Sequence, residues 1–177
     1  AVMSLGDNVV DNTIKIGGDY MTQDILNYVK DKYNILIGER TAEDVKIAIG
    51  SAIPLKSEQE VILQGRDLVN GLPKSIRVSS VEIREAIMSS LSVITEAVKE
   101  AIEDTPPELV KDLLTSGLHL AGGGSLIQGL DTFWQEELNI PVHIVDDPIS
   151  TVARGTAQML DHIELLDKVQ SSWRELV

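Results

Sequence analysis

Three consecutive glycines, Gly122-Gly123-Gly124, stand between a short apolar run, Leu118-His119-Leu120-Ala121, and a helix-like segment that opens at Ser125. A strand that turns directly into a helix through residues without a Cβ is the joint of an α/β layer, not of a helical bundle or an all-β sandwich. Ser125 and Gln128 stand at capping-box spacing, which predicts a helix from Ser125 to about Leu138. Pro141 to Val145 then reads as a strand and Ile149 to about Leu166 as a long helix. Strands separated by helices with short turns predict parallel pairing.

The rest of the chain fits around that layer. Ala1 to Leu5 and Val9 to Ile16 read as strands joined by Gly6-Asp7-Asn8. Gly17-Gly18-Asp19 breaks their alternation, and Ile25, Leu26, Tyr28, Val29 and Tyr33 follow at helical spacing, which predicts a helix over about 21–32. Thr41 is the expected N-cap of a short helix from Ala42 to Gly50. Composition changes after Pro54. Gln59 to Val69 and Lys74 to Ser79 read as strands joined through Asn70-Gly71-Leu72-Pro73. From Ser80 onward Ile83, Ile87, Leu91, Ile94, Val98 and Ile102 form one continuous apolar stripe, the mark of a long helix. Thr105-Pro106-Pro107-Glu108 ends it and opens another helix, which stops at Gly117. Residues 51–104 read as an inserted α+β subdomain. No internal repeat or low-complexity tract is visible.

Composition narrows the function. The 177 residues carry 28 Asp+Glu against 15 Lys+Arg, a formal charge of −13, which repels nucleic acid and anionic lipid alike. Two Trp, three Tyr and one Phe supply no stacking platform for single-stranded nucleic acid. The absence of cysteine excludes a disulfide scaffold, a thiolate zinc site and a cysteine nucleophile. A hydrophobic content of 43% supports a sizeable core. No apolar run reaches the roughly 18–20 residues of a spanning helix. With no signal peptide read at Ala1, the expectation is a cytoplasmic protein. The lack of an initial Met suggests a fragment.

Two constellations can carry chemistry. At Ala121-Gly122-Gly123-Gly124-Ser125 a ligand can approach the backbone closely, and a helix start supplies free N–H donors and a positive dipole end, which suits a nucleotide. The stretch is not a Walker A loop, because Gly124 to Gly129 contains no Lys-Ser/Thr. It lacks the third glycine of a dinucleotide fingerprint at 127 and the final glycine of a nucleophile elbow. Its alternative reading is a tight strand-to-helix turn. Glu43 and Lys46 share one helix face, opposite Val45, Ala48 and Ile49; the carboxylate can accept from ribose hydroxyls and the lysine can donate to ribose or pack against a base. The alternative there is a solvated i,i+3 ion pair. His119, His143 and His162 show no ligand spacing, so they read as structural or surface histidines and no metal site is expected. Asp146-Asp147 before Pro148 reads as a strand end, and Glu96, Glu100, Glu103 and Asp104 as a solvated acidic face. No catalytic set is visible.

Taken in order, Val2-Met3-Ser4-Leu5-Gly6, Ile14-Lys15-Ile16-Gly17-Gly18-Asp19, Ile37-Gly38-Glu39-Arg40-Thr41-Ala42-Glu43 with Lys46, Thr105-Pro106-Pro107-Glu108-Leu109 and Leu120-Ala121-Gly122-Gly123-Gly124-Ser125-Leu126 resemble the MreB family of bacterial actin homologues. The likeness runs from Ala1 to about Leu160. It implies half of an actin-like (ribonuclease H-like) α/β fold: a large C-terminal subdomain of residues 1–50 and 105–177 facing the nucleotide, with the smaller 51–104 subdomain inserted. It places Glu43, Asp44, Val45 and Lys46 on the family's ribose- and adenine-contacting helix, and Ala121, Gly122, Gly123 and Gly124 on its adenosine loop. The implied cofactor is ATP, with Mg²⁺ and the phosphates held mainly by loops upstream of Ala1, so that this chain alone is expected to lack ATPase activity. The implied partners are further copies in a filament, membrane proteins of cell shape and wall synthesis, and the inner face of the cell membrane, contacted through upstream segments. A sugar kinase or chaperone ATPase of the same superfamily, and a plain interaction module, are the competing readings. Leu165, Leu166, Val169, Trp173 and Leu176 are expected to form a helix that docks on the domain.

Overall fold

The computed structural model describes residues 1–160. The last part of the expected 149–166 helix and the docking helix read from Leu165 to Leu176 lie outside the described residues.

The chain opens on an antiparallel hairpin of β1 (Val2–Ser4) and β2 (Asp7–Val10). The second strand stops at Val10, short of the expected Ile16. Helix α1 (Gly18–Tyr33) starts ahead of the expected Met21 and buries Met21, Thr22, Ile25 and Val29 along one face. Asn34, with φ 54°, ends it in the left-handed conformation that asparagine tolerates. A two-residue strand, β3 (Ile35–Leu36), follows; so short a strand has no readable period. Helix α2 (Glu39–Ile49) is capped by Gly38, so Thr41 lies inside the first turn and is not the N-cap.

Strands β4 (Glu60–Asp67) and β5 (Pro73–Ser79) pair antiparallel, with Val61 opposite Val78 and Leu63 opposite Ile76. Their sheet has the order β3-β4-β5. Helix α3 (Ser80–Glu103) begins in a complete capping box, the Ser79 amide donating to Glu82 Oε2 at 2.8 Å and the Glu82 amide donating to Ser79 Oγ at 3.4 Å. Its buried residues, Ser80, Ile83, Ala86, Ile87, Ser90, Leu91 and Thr95, all precede Glu96. Beyond that point Val98 and Ile102 are only half-buried. Helix α1 packs along α3, and Ile25, Val29, Ile35, Leu63, Val78, Ile83, Ile87 and Leu91 belong to one buried cluster. A shared core thus spans the boundary at residue 51.

The predicted parallel layer is present. Helix α4 (Pro107–Ser116) leads through Gly117 into β6 (Leu118–Leu120), which pairs parallel with β7 (Val142–Ile144). The helix expected from Ser125 does not form there. Gly123–Leu126 makes a 3-10 turn and α5 (Leu130–Leu138) starts only after Gly129. Gly129 takes φ 73°, and a Cβ on it would lie 2.4 Å from Ile53 Cγ1, so the chain needs glycine there and breaks before the helix. The capping-box reading fails with it: Ser125 Oγ donates to the Gly122 carbonyl at 2.7 Å, and Gln128 Nε2 donates to the Ala48 carbonyl. Trp134 on α5 is buried and donates its indole N–H to Thr95 Oγ1 at 2.9 Å. Helix α6 (Thr151–Leu160) buries no residue. No helix among the described residues is long and apolar enough to cross a membrane.

Candidate functional site

Lys46 sits on α2 with its side chain 9% exposed, while its ion-pair partner Glu43, 2.6 Å away, is 41% exposed. The ammonium also donates to the Gly18 carbonyl at 2.8 Å and to Thr22 Oγ1 at 2.9 Å. Three donors meet three acceptors, so Lys46 has none left for a ligand. Thr22 in turn donates its hydroxyl proton to Glu43 Oε2. Gly18 is part of the arrangement, because a Cβ there would stand 3.3 Å from Lys46 Nζ. The pair is therefore no solvated i,i+3 contact. It is a clamp between α1 and α2 in which a buried ammonium fixes a half-exposed carboxylate.

The electrostatics follow. Burial by itself raises the Glu43 pKa; the hydrogen bonds from Lys46 and Thr22 and the charge of Lys46 outweigh it and hold the carboxyl below the ordinary range. Glu43 is thus an anion at neutral pH. Its contacts with Lys46 and Thr22 fall on Oε2, which leaves Oε1 to accept from a hydroxyl-bearing ligand. The neighbouring candidates differ in kind. Asp44 is exposed, whereas Val45, at 5% exposure, belongs to the core.

The glycine turn is joined to the same helix. The Gln128 amide donates to the Gly50 carbonyl at 3.2 Å, and the Ala52 amide donates to the Gln128 carbonyl at 2.8 Å, so the end of the 3-10 turn is bonded to the end of α2. Ala121, Gly123 and Gly124 are exposed. At Gly122, Gly123 and Gly124 a Cβ would point into open space, with nothing within 4 Å. Gly122 takes φ 86° and donates its amide to the Pro148 carbonyl at 2.7 Å, which ties the turn to the loop before α6. The oriented acceptor at Glu43 and the open backbone at the glycine turn can each serve the adenosine end of a nucleotide; none of these residues offers a free cation to its phosphates. Gly18 and Thr22 escaped notice as site residues in the sequence. Their only signal was the glycine pair Gly17-Gly18 at the start of α1, since their role depends on how α1 meets α2.

The family described as MreB/Mbl protein matches residues 1–168. The cell shape-determining protein Mbl of Bacillus subtilis (strain 168) is 46% identical over 168 residues, covering 95% of this chain and 50% of that protein. The cell shape-determining protein MreB of Escherichia coli (strain K12) is 42% identical over 165 residues, covering 93% of this chain and 48% of that one. The crystal structure of MreB5 of Spiroplasma citri bound to ADP superposes with a TM-score of 0.89 at 39% identity, over 93% of this chain and 50% of that one. A MamK double helical filament, at 21% identity and a TM-score of 0.71, covers 84% of this chain and shares the fold. The chain spans about half the length of the curated relatives it matches.

Proposed function

Because the chain belongs to the MreB/Mbl family and carries half of an actin-like fold, we propose that the protein it represents is an ATP-binding cytoskeletal protein. Its filaments lie at the inner face of the cell membrane, associate with membrane proteins of cell-wall synthesis, and maintain rod shape. The observation that carries this reading is the Gly18–Thr22–Glu43–Lys46 clamp bonded, through Gln128, to an open glycine turn. Glu43 Oε1 binds and orients the ribose. Gly122, Gly123 and Gly124 admit the adenosine against the backbone, and Lys46 acts only by positioning Glu43. The phosphates and Mg²⁺ are held by residues outside this chain. Bound ATP supplies the switch between assembling and non-assembling states.

The test uses the full-length protein. Replacing Glu43 by Ala removes a charge-assisted acceptor, an interaction of about 1.5–3 kcal/mol, and raises the ATP concentration needed for assembly roughly tenfold or more. Assembly is read by light scattering and electron microscopy. Unchanged ATP dependence in E43A overturns the ribose role, and an absence of filaments from the unmodified protein across salt and nucleotide conditions overturns the cytoskeletal one.

A further inference from the structure

His119 on β6 and His143 on β7 are direct partners in the parallel register. Both residues are exposed, their ring centroids lie 5.3 Å apart, and the ring planes are tilted by 39°. Adjacent positions on neighbouring parallel strands project side chains from the same face of the sheet, which is why two histidines remote in sequence share one spot. A tetrahedral ion bound about 2.0–2.1 Å from one nitrogen of each ring requires ring centres roughly 5 Å apart. The pair already has that separation, so two ligands can be supplied with no change in the strand pairing.

We propose that His119 and His143 form a surface site for a divalent ion of the imidazole-seeking class, with Zn²⁺ as its representative, the remaining coordination positions being filled by water. Among the described residues no group of three or more His, Cys, Asp or Glu side chains is set to hold a metal, so the site is a two-protein-ligand clip and not a closed structural zinc centre. Imidazole ligands select Zn²⁺, Ni²⁺ and Cu²⁺ over the oxygen-seeking Mg²⁺. The ion links β6 to β7 just ahead of the glycine turn, where the sheet has two strands among the described residues.

The probe is ZnCl₂ titrated into the 177-residue chain, followed by calorimetry and by the imidazole signals of ¹⁵N-labelled histidine. One equivalent binds, the rings of His119 and His143 shift together, and His119→Gln and His143→Gln each weaken binding at least tenfold while keeping the circular dichroism spectrum of the parent. Mg²⁺ at the same concentration leaves the rings unmoved. Absence of heat and ring shifts up to millimolar Zn²⁺, equal affinity in either variant, or an equal response to Mg²⁺ would each overturn the site. So would loss of binding on replacing His162 alone, since that would move the site off the pair.

Discussion

Removing the Lys46 ammonium leaves Glu43 Oε2, Thr22 Oγ1 and the Gly18 carbonyl without the donor they share. Lys46→Met leaves behind a carboxylate that water reaches, so it is expected to lower stability by about 1–2 kcal/mol. Glu43→Gln leaves the buried ammonium without its counter-charge and is expected to cost more, about 3 kcal/mol. Urea midpoints of the two variants check the asymmetry; equal losses would show that the clamp does not divide as its burial indicates. The sequence made the Glu43–Lys46 spacing visible. It hid which of the two is buried, because that depends on the Gly18 and Thr22 atoms brought in by α1. The histidine pair was invisible for a related reason: spacing along the chain says nothing about register between strands.

Helix α3 owes its start to Ser79 and Glu82. Ser79→Ala removes the reciprocal cap and is expected to cost about 1 kcal/mol. Glu82 is pushed upward in pKa by burial, yet hydrogen bonds from Tyr33, Lys32 and the Ser79 amide and hydroxyl bring it down to about 2 from 4.5. A carboxyl whose folded pKa is depressed contributes stability that is complete above the unfolded value and is lost as pH falls toward the folded one. Glu82→Gln should therefore flatten the acid limb of stability between pH 4.5 and 2, as read from urea midpoints at several pH values. An unchanged limb would remove Glu82 from the acid response. Gly129→Ala, with a positive φ and Ile53 in the way, is expected to cost more than about 1 kcal/mol and to lower the melting temperature. Among the elements, the α3 stripe and the β6–β7 layer were legible because long or repeated patterns average over local exceptions. The start of α5 was not: Ser125 has the composition of a cap, and only the positive φ of Gly129 reveals that the chain turns once more before the helix.

Across the whole molecule, burial is uneven. One buried cluster runs from Met21 on α1 through β4, β5 and the first part of α3 to Leu120, Trp134 and Val142 on β6, α5 and β7, whereas α4 and α6 bury no residue and β2 is largely exposed. Amide hydrogen exchange should be slowest in α1, β4, β5 and the first part of α3, and fastest in β1, β2, α4 and α6; uniform protection would contradict the packing. This gradient was beyond the sequence, since α4 and α6 have apolar faces as pronounced as those of buried helices and only the three-dimensional arrangement shows that no side chain of theirs is buried among the described residues. The clamp also bears on how a ligand is felt. Folding has already immobilised the Glu43 side chain against Lys46 and Thr22, so rotamer freedom of up to roughly 1.5–2 kcal/mol is surrendered before any ligand arrives. An acceptor prepared in this way needs no ordering on contact, and the calorimetric signature of losing it in E43A should be a smaller binding enthalpy with little compensating change in entropy.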